Sequence, residues 1–446
     1  MPLSMDAALL ARIQFAFTIG FHYLFPPLTI GMSWLIFWMM TKYRRTGDEV
    51  WGSMARFWTS IFAVTFVVGV ATGITMEMQF GMNWGRFSLF VGDVFGAPLA
   101  AEGILAFFVE SIFVAALIYG WKRLSVRSLW GSSLLVALGA TLSAFWILVA
   151  NSWMQTPAGF TVVGGRATLT DFWAAVFNPS LLPRLSHTLA SAVMTGAFFV
   201  AGVSAFYLLK KRHAEFARRS MRMALIVAAI SSVAQLGLGH YHAIQVAATQ
   251  PEKLATIEGV LTTQSHAPVL LFGIPDEAAG TVRHAVRIPG LLSLLAFGDF
   301  NAVVMGLSEI PLDERPPLAL TFISFHLMVA IGLFLIAFAL LGLILLRKNK
   351  LFESRWYSVI AILAIPLPFI ANELGWITAE VGRQPWAVYH VLKTRDAISA
   401  FLPASRPLAQ LVIFSFLYAL IFAAWLFLVV RKVRRGPEDE RKGAAE

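Results

Sequence analysis

Nine apolar runs, each long enough to cross a bilayer, decide most of what this chain can be. A spanning helix needs roughly 20 mostly apolar residues. The runs lie at about 10–41, 57–80, 96–120, 128–150, 181–209, 221–239, 318–346, 356–375 and 408–430. Inside lipid the backbone must satisfy its own hydrogen bonds, so such runs fold as helices. The expected fold is an all-α integral membrane protein, a bundle of nine transmembrane helices. Run 1 is over-long and carries Pro26 and Pro27, which predicts a kink there. It is also too long for a signal-peptide core, and nothing basic precedes Arg12, so it is expected to stay as the first helix. Composition agrees: 58% of residues are hydrophobic and 13% charged, against about 45–50% and 25% in soluble domains. A soluble enzyme and a disordered chain are both excluded. The absence of cysteine excludes disulfides, iron–sulfur ligation, thiolate zinc sites and covalent haem attachment.

The net charge of +10 would suggest nucleic-acid binding if the charges were spread over one face. They are not. Most Lys and Arg fall in alternate gaps between runs, in short clusters such as Lys210-Lys211-Arg212 and Arg431-Lys432. The other gaps are longer and sparser in positive charge. This alternation follows the positive-inside rule. It predicts the N-terminus outside and the C-terminus in the cytoplasm, and leaves no nucleic-acid function to explain. The expected organisation is helices 1–6 over residues 1–239, an extracytoplasmic loop over 240–317, helices 7–9 over 318–430, and a charged cytoplasmic tail over 431–446. The segment Gly239-His240-Tyr241-His242 is expected to open the long loop. Loops of that length are usually functional or disordered. This one carries apolar and turn residues such as Phe272-Gly273-Ile274-Pro275, which favours function.

Ionisable groups at membrane depth are costly and mark functional sites. Here they are His22, Glu77, Glu102, Glu110, His187, His326 and Glu373, with Glu380 and Arg383 just beyond run 8. The predicted topology places most of them in the outer half of the bundle. On a straight helix Glu102 and Glu110 are separated by about 80° of rotation and ~12 Å of rise. That spacing suits two stations on a proton path, or one ligand and one relay. Only three of the nine histidines lie inside runs, too few for a haem–copper centre. His187 and His326 are candidate metal ligands, and Met328 adds a thioether two residues after His326. His with Met is a known axial pair for haem iron. The numerous Phe and Trp residues could line haem pockets.

The string Gly375-Trp376-Ile377-Thr378-Ala379-Glu380-Val381-Gly382-Arg383-Gln384-Pro385-Trp386 resembles the signature of subunit I of cytochrome bd-type quinol oxidases. Other segments agree in order: Arg12-Ile13-Gln14-Phe15-Ala16, Phe21-His22-Tyr23-Leu24-Phe25, Gly96-Ala97-Pro98-Leu99-Ala100-Ala101-Glu102-Gly103, Phe107-Phe108-Val109-Glu110-Ser111, and Trp146 through Gln155. The resemblance spans about residues 10–430.

It implies the following expectations. His187 and Met328 resemble the axial ligands of the low-spin haem b. His22 resembles the ligand of the oxygen-reducing haem, and Glu380 that of the high-spin haem b. The oxygen-reducing haem would be haem d or a third haem b, because chlorin and porphyrin take the same axial groups. Glu102 resembles a group at the oxygen-reducing haem and Glu110 a proton-path carboxylate. Lys253 and Glu258 resemble the quinol-loop pair. Arg383, Trp376, Arg12 and Asn151 resemble haem-environment positions. His326 stands where relatives commonly carry Arg, at a haem propionate. The implied activity is oxidation of membrane quinol at the outer face and reduction of O2 to water with cytoplasmic protons, without pumping. The implied setting is a bacterial cytoplasmic (inner) membrane. There the chain would form a heterodimer with a second membrane subunit, often with a very small single-helix third. A haem-b-only variant is one alternative. A proton-coupled transporter is another, but no inverted repeat or matched pair of broken helices supports it.

Overall fold

The computed structural model describes residues 6–277 and 279–437, the side chains of 105–107 excepted. Among the described residues, nine helical spans are long and apolar enough to cross a bilayer. The first is broken in two, α1 (Ala7–Tyr23) and α2 (Pro26–Thr46). Pro26 and Pro27 carry no N–H to continue the ladder, so the chain restarts there as a new helix N-terminus. The second span is α3 (Glu49–Met82). The third joins α4 (Gly85–Ala101) through a π-helical stretch, Glu102–Phe107, to α5 (Phe108–Tyr119). The fourth is α6 (Val126–Gln155). A hairpin of β1 (Phe160–Val163) and β2 (Arg166–Leu169), then the short α7 (Phe172–Val176), lead to α8 (Leu181–Leu209) and α9 (Ala214–Thr249).

The long connection holds α10 (Pro251–Glu258), an antiparallel hairpin of β3 (Val269–Asp276) and β4 (Thr281–Ile288), and α11 (Leu291–Phe297). The seventh span is α12 (Leu318–Arg347). The eighth is split into α13 (Arg355–Leu363) and α14 (Leu367–Val381). After it come β5 (Trp386–Val388), β6 (Leu392–Lys393) and α15 (Thr394–Ala397), and α16 (Ser405–Arg435) closes the chain.

Several sequence boundaries shift. The sixth span continues to Thr249, so His240 and His242 are helical and the loop starts ten residues later than residue 240. Helix α14 runs to Val381, which puts Glu380 inside the eighth span. The expected tail from residue 431 is still helix α16 as far as Arg435, and residues 438–446 lie outside the described residues. The π stretch also changes the arithmetic for Glu102 and Glu110. Each residue in a π turn rotates the chain less than an α-helical residue does. The straight-helix angle between the two carboxylates therefore does not hold.

The bundle's interior gathers Leu28, Met32, Trp58, Phe62 and Tyr207 with their neighbours. Its tightest crossing is between α2 and α8. A Cβ on Gly31 would lie 2.2 Å from the Ala192 carbonyl oxygen, and one on Gly196 would lie 2.6 Å from the backbone carbon of Gly31. Small residues let membrane helices approach to backbone contact. Gly196→Leu is therefore expected to drive α2 and α8 apart. Overpacking typically costs about 1–3 kcal/mol, and backbone obstruction puts this site at the upper end or beyond. Detergent-soluble yield and a monodisperse gel-filtration peak should be lost, with Gly196→Ala intermediate.

The basic clusters fall where α2 and α16 end and α3 and α9 begin. There Asp48 caps α3 and pairs with Arg219 of α9. The long connection lies at the opposite end of α9.

Candidate functional site

Two of the four candidate ligands, His22 and Glu380, sit at helix ends, and the other two, His187 and Met328, lie inside long helices. His22 is in the last turn of α1, just before the proline break. Its Nδ1 is 3.0 Å from the Thr72 hydroxyl on α3. That hydroxyl lies 2.9 and 3.0 Å from the carbonyls of Val68 and Gly69. Its single proton goes to the backbone, so Thr72 accepts from His22 Nδ1–H. The lone pair is left on Nε2, the usual way a neighbour fixes a metal-ligating tautomer.

His187, on α8, has Nε2 3.0 Å from the Gln235 side-chain amide on α9, and its Nδ1 is buried without a partner. His242 lies beside it, ring centres 5.8 Å apart. Met328 is on α12.

Glycines face these groups. A Cβ on Gly73 would stand 3.2 Å from the His22 ring, on Gly239 3.3 Å from the His187 ring, and on Gly375 2.9 Å from the Met328 sulfur. On Gly20 it would stand 3.3 Å from the Glu373 carboxylate. Only glycine lets the backbone come this close to the N, S and O donors. His187 Nδ1, Glu102 Oε2 and Glu373 Oε1 are buried without a partner, as donors awaiting a prosthetic group would be. The residues present fit haem.

Glu380 is the centre of a buried polar cluster at the end of the bundle that carries the long connection. Arg383 pairs with its Oε2. Its Oε1 accepts from Asn151 at 3.0 Å and from Gln155 at 3.1 Å, both on α6. Asn151 in turn accepts from Arg184 on α8 at 3.0 Å. One carboxylate therefore lies between two buried guanidiniums, an arrangement that is costly to break.

The Gln155 side-chain Oε1 accepts from Lys253 of α10, and Lys253 also donates to the Gln250 side-chain Oε1 at 2.7 Å. Lys253 is 3% exposed. Burial pushes its ammonium well below the ordinary lysine value, helped by repulsion from Arg184. At the other end of α10, burial pushes the Glu258 carboxyl up to about 7, and its Oε2 has no partner.

Glu102, the first residue of the π stretch, accepts from Ser143 of α6 at 2.8 Å. Glu110 is buried on α5. π segments recur at functional positions. Arg12 on α1 and Trp376 on α14 are half-buried outside the Glu380 cluster.

His326 is held by backbone carbonyls of the protein. Its two ring nitrogens lie 2.6 Å from the Leu270 carbonyl of β3 and 2.9 Å from the Phe322 carbonyl, and the ring stacks on Phe322. Both nitrogens are used, and the residue anchors the β3–β4 hairpin to α12.

The sequence reading passed over Thr72, Gln235, Gln155, Gln250 and Arg184. Arg184 had a signal, because it is ionisable, lies in an apolar run and stands one turn before His187. The amides had none, since they do not titrate.

Such a bundle is a multi-pass membrane oxidoreductase. It combines spanning helices, His, Met and carboxylate donors within them, and a buried Lys and a buried Glu at the two ends of the loop helix. The family model for cytochrome bd terminal oxidase subunit I matches residues 10–437, and the chain belongs to that family. It is 41% identical to cytochrome bd ubiquinol oxidase subunit 1 of Bacillus subtilis, over 98% of this chain and 95% of that one. It is 35% identical to cytochrome bd-II ubiquinol oxidase subunit 1 of Escherichia coli, over 97% of each. The solved bd oxidase from Geobacillus thermodenitrificans superposes with a TM-score of 0.92 at 35% identity, covering 97% of this chain and 100% of that one. The chain is a multi-pass protein of the bacterial inner membrane.

Proposed function

We propose that this chain is the haem-bearing subunit of a terminal respiratory quinol:oxygen oxidoreductase. It is a quinol oxidase. The observation that carries the fuller reading is the meeting of iron-ligand chemistry with the loop. Glu380, at the end of α14, is joined through Gln155 to the buried Lys253 of α10.

His187 and Met328 would hold a low-spin haem b, Glu380 a high-spin haem b, and His22 the oxygen-reducing haem, a haem d or a third haem b. Bound there, the haems supply one-electron redox chemistry and a site for O2. Thr72 holds the His22 proton on Nδ1 and so presents Nε2 to iron. Glycines 73, 239 and 375 let the backbone pack directly against the three donors. Lys253 and Glu258 bind quinol, and Glu258 takes one of its protons. Glu110 and Glu102 carry cytoplasmic protons toward the oxygen site. Quinol protons leave outside and consumed protons come from the cytoplasm, so charge separates without a pump. The basic helix ends support an N-terminus outside and a C-terminus in the cytoplasm. Relatives named subunit 1 support a second membrane subunit as partner. A small third subunit completes the assembly in this reading.

Glu258 gives the test. Only its ionised form can accept the quinol proton. Because burial holds the carboxyl at about 7, the quinol oxidation rate should rise with pH and reach half its plateau near that value. Glu258→Gln should remove the inflection and lower kcat/KM for quinol by about 10²-fold, the usual worth of a positioned base. An unchanged pH profile in Glu258→Gln would take the proton-acceptor role from this residue.

A further inference from the structure

We infer that Gln155 is a positioning residue that couples the quinol-loop lysine to the iron-ligand carboxylate, so that binding at one is felt at the other. The inference rests on reading Glu380 as an iron ligand and Lys253 as part of the quinol site.

The geometry is one-directional. Gln155 closes α6 and is fully buried. Its Oε1 faces only donors: Lys253 Nζ and, at 3.1 Å, the Gln250 amide. Its Nε2 faces only acceptors: Glu380 Oε1 at 3.1 Å and the Ala379 carbonyl at 3.4 Å. Amide orientation is assigned from hydrogen-bond partners, and here both ends agree. Gln250 braces the arrangement. Its Nε2 also donates to the Gln155 backbone carbonyl at 3.2 Å, and its Oε1 accepts from Lys253. Every polar atom of the Gln155 side chain is therefore spent on the line from Lys253 to Glu380.

An amide conjugates its two ends. A strong donor on Oε1 makes the N–H on the other side a stronger donor, the cooperative polarisation expected in a dry hydrogen-bond chain. Lys253 uses two of its three donor positions on Gln155 and Gln250. The third can bond a quinol or quinone oxygen. Such a bond weakens the Lys253–Gln155 donation, which weakens the N–H on Glu380. The carboxylate then becomes a stronger electron donor to the iron it holds. By linkage, the state of that iron alters quinone affinity by the same factor. The Asn151 and Arg383 hydrogen bonds hold Glu380 in place and do not extend to Lys253. Gln155 is the residue that touches both.

The test uses the purified, haem-loaded complex and duroquinone as the bound probe. In the oxidised wild type, saturating duroquinone should shift the ferric high-spin EPR line of the haem held by Glu380 and leave the low-spin line in place. Gln155→Met keeps the length of the side chain but joins nothing. It should raise KM for duroquinol about tenfold, the worth of one hydrogen bond to a charged group. It should also abolish the duroquinone-induced shift at saturation. Gln155→Asn is one methylene too short to span both partners and should behave in the same way if Gln155→Met does not retain haem.

A wild-type line indifferent to duroquinone overturns the coupling without any variant. So does a shift that survives in Gln155→Met or Gln155→Asn. Two controls separate this from the reading beneath it. If Glu380→Gln leaves the high-spin line unchanged, or Lys253→Met leaves KM for duroquinol unchanged, the assigned site itself is wrong and the coupling falls with it. If both controls respond and the shift persists without Gln155, the coupling alone is overturned.

Discussion

Met328→Leu should abolish the low-spin haem signal while the high-spin signals persist. Leucine matches methionine closely in volume and apolar character, so the α12–α14 packing should survive. What is lost is the sulfur, which lies against Gly375. Iron without its thioether loses the strong axial field that makes it low-spin. Electrons from quinol then lose their entry point, and quinol oxidation should fall by more than the ~10–100-fold that outer-shell changes cost at metal sites. Redox difference spectra and EPR of the solubilised complex read this directly. Survival of every haem signal would show that Met328 is not the ligand.

Glu380→Gln should have the larger structural effect. The carboxylate lies between Arg383, paired with it directly, and Arg184, reached through Asn151. Both guanidiniums are 6% exposed. Removing the one anion leaves two buried cations facing each other, and breaking a buried pair in this way costs about 3–5 kcal/mol. The thermal unfolding midpoint should fall sharply. Replacing Arg383 as well, in Glu380→Gln/Arg383→Met, should recover part of the loss, because one stranded charge is gone. The high-spin haem signal should change in both variants. A Glu380→Gln protein as stable as the parent would contradict the electrostatic account of the cluster.

Some of this arrangement could be read along the chain and some could not, for physical reasons. Hydropathy marks spans because lipid imposes one rule on every residue of a run, and Pro26 and Pro27 mark the break after α1 because proline lacks a donor. Hydropathy failed at the end of α9. Residues 240–249 carry polar side chains yet stay helical, because a helix leaving the membrane has no reason to stop where the apolar residues do. The interruption near Pro366 had a local signal, a proline inside an apolar run, that went unused.

The π stretch after Ala101 had no sequence signal, since it is defined by backbone hydrogen bonds. His22, His187 and Glu380 could be picked out because charged or titratable groups at depth are expensive, whereas Lys253, in the loop, was marked only by the family resemblance. Thr72, Gln155 and Gln250 escaped because their roles exist only through neighbours far away in sequence. His326 stands out as an ionisable group in an apolar run, but its contact with β3 has no such signal. Its partner, the carbonyl of Leu270, lies in a hairpin that carried no local strand pattern strong enough to read.

The central claim is that this chain carries haem in a quinol oxidase. The most direct measurement is the dithionite-reduced minus oxidised absorption spectrum of the purified complex, with haem extraction on the same sample. The account predicts haem b bands from low-spin and high-spin centres, together with either a far-red chlorin band or a third haem b in the extract. A folded, intact complex with no haem at all would contradict it.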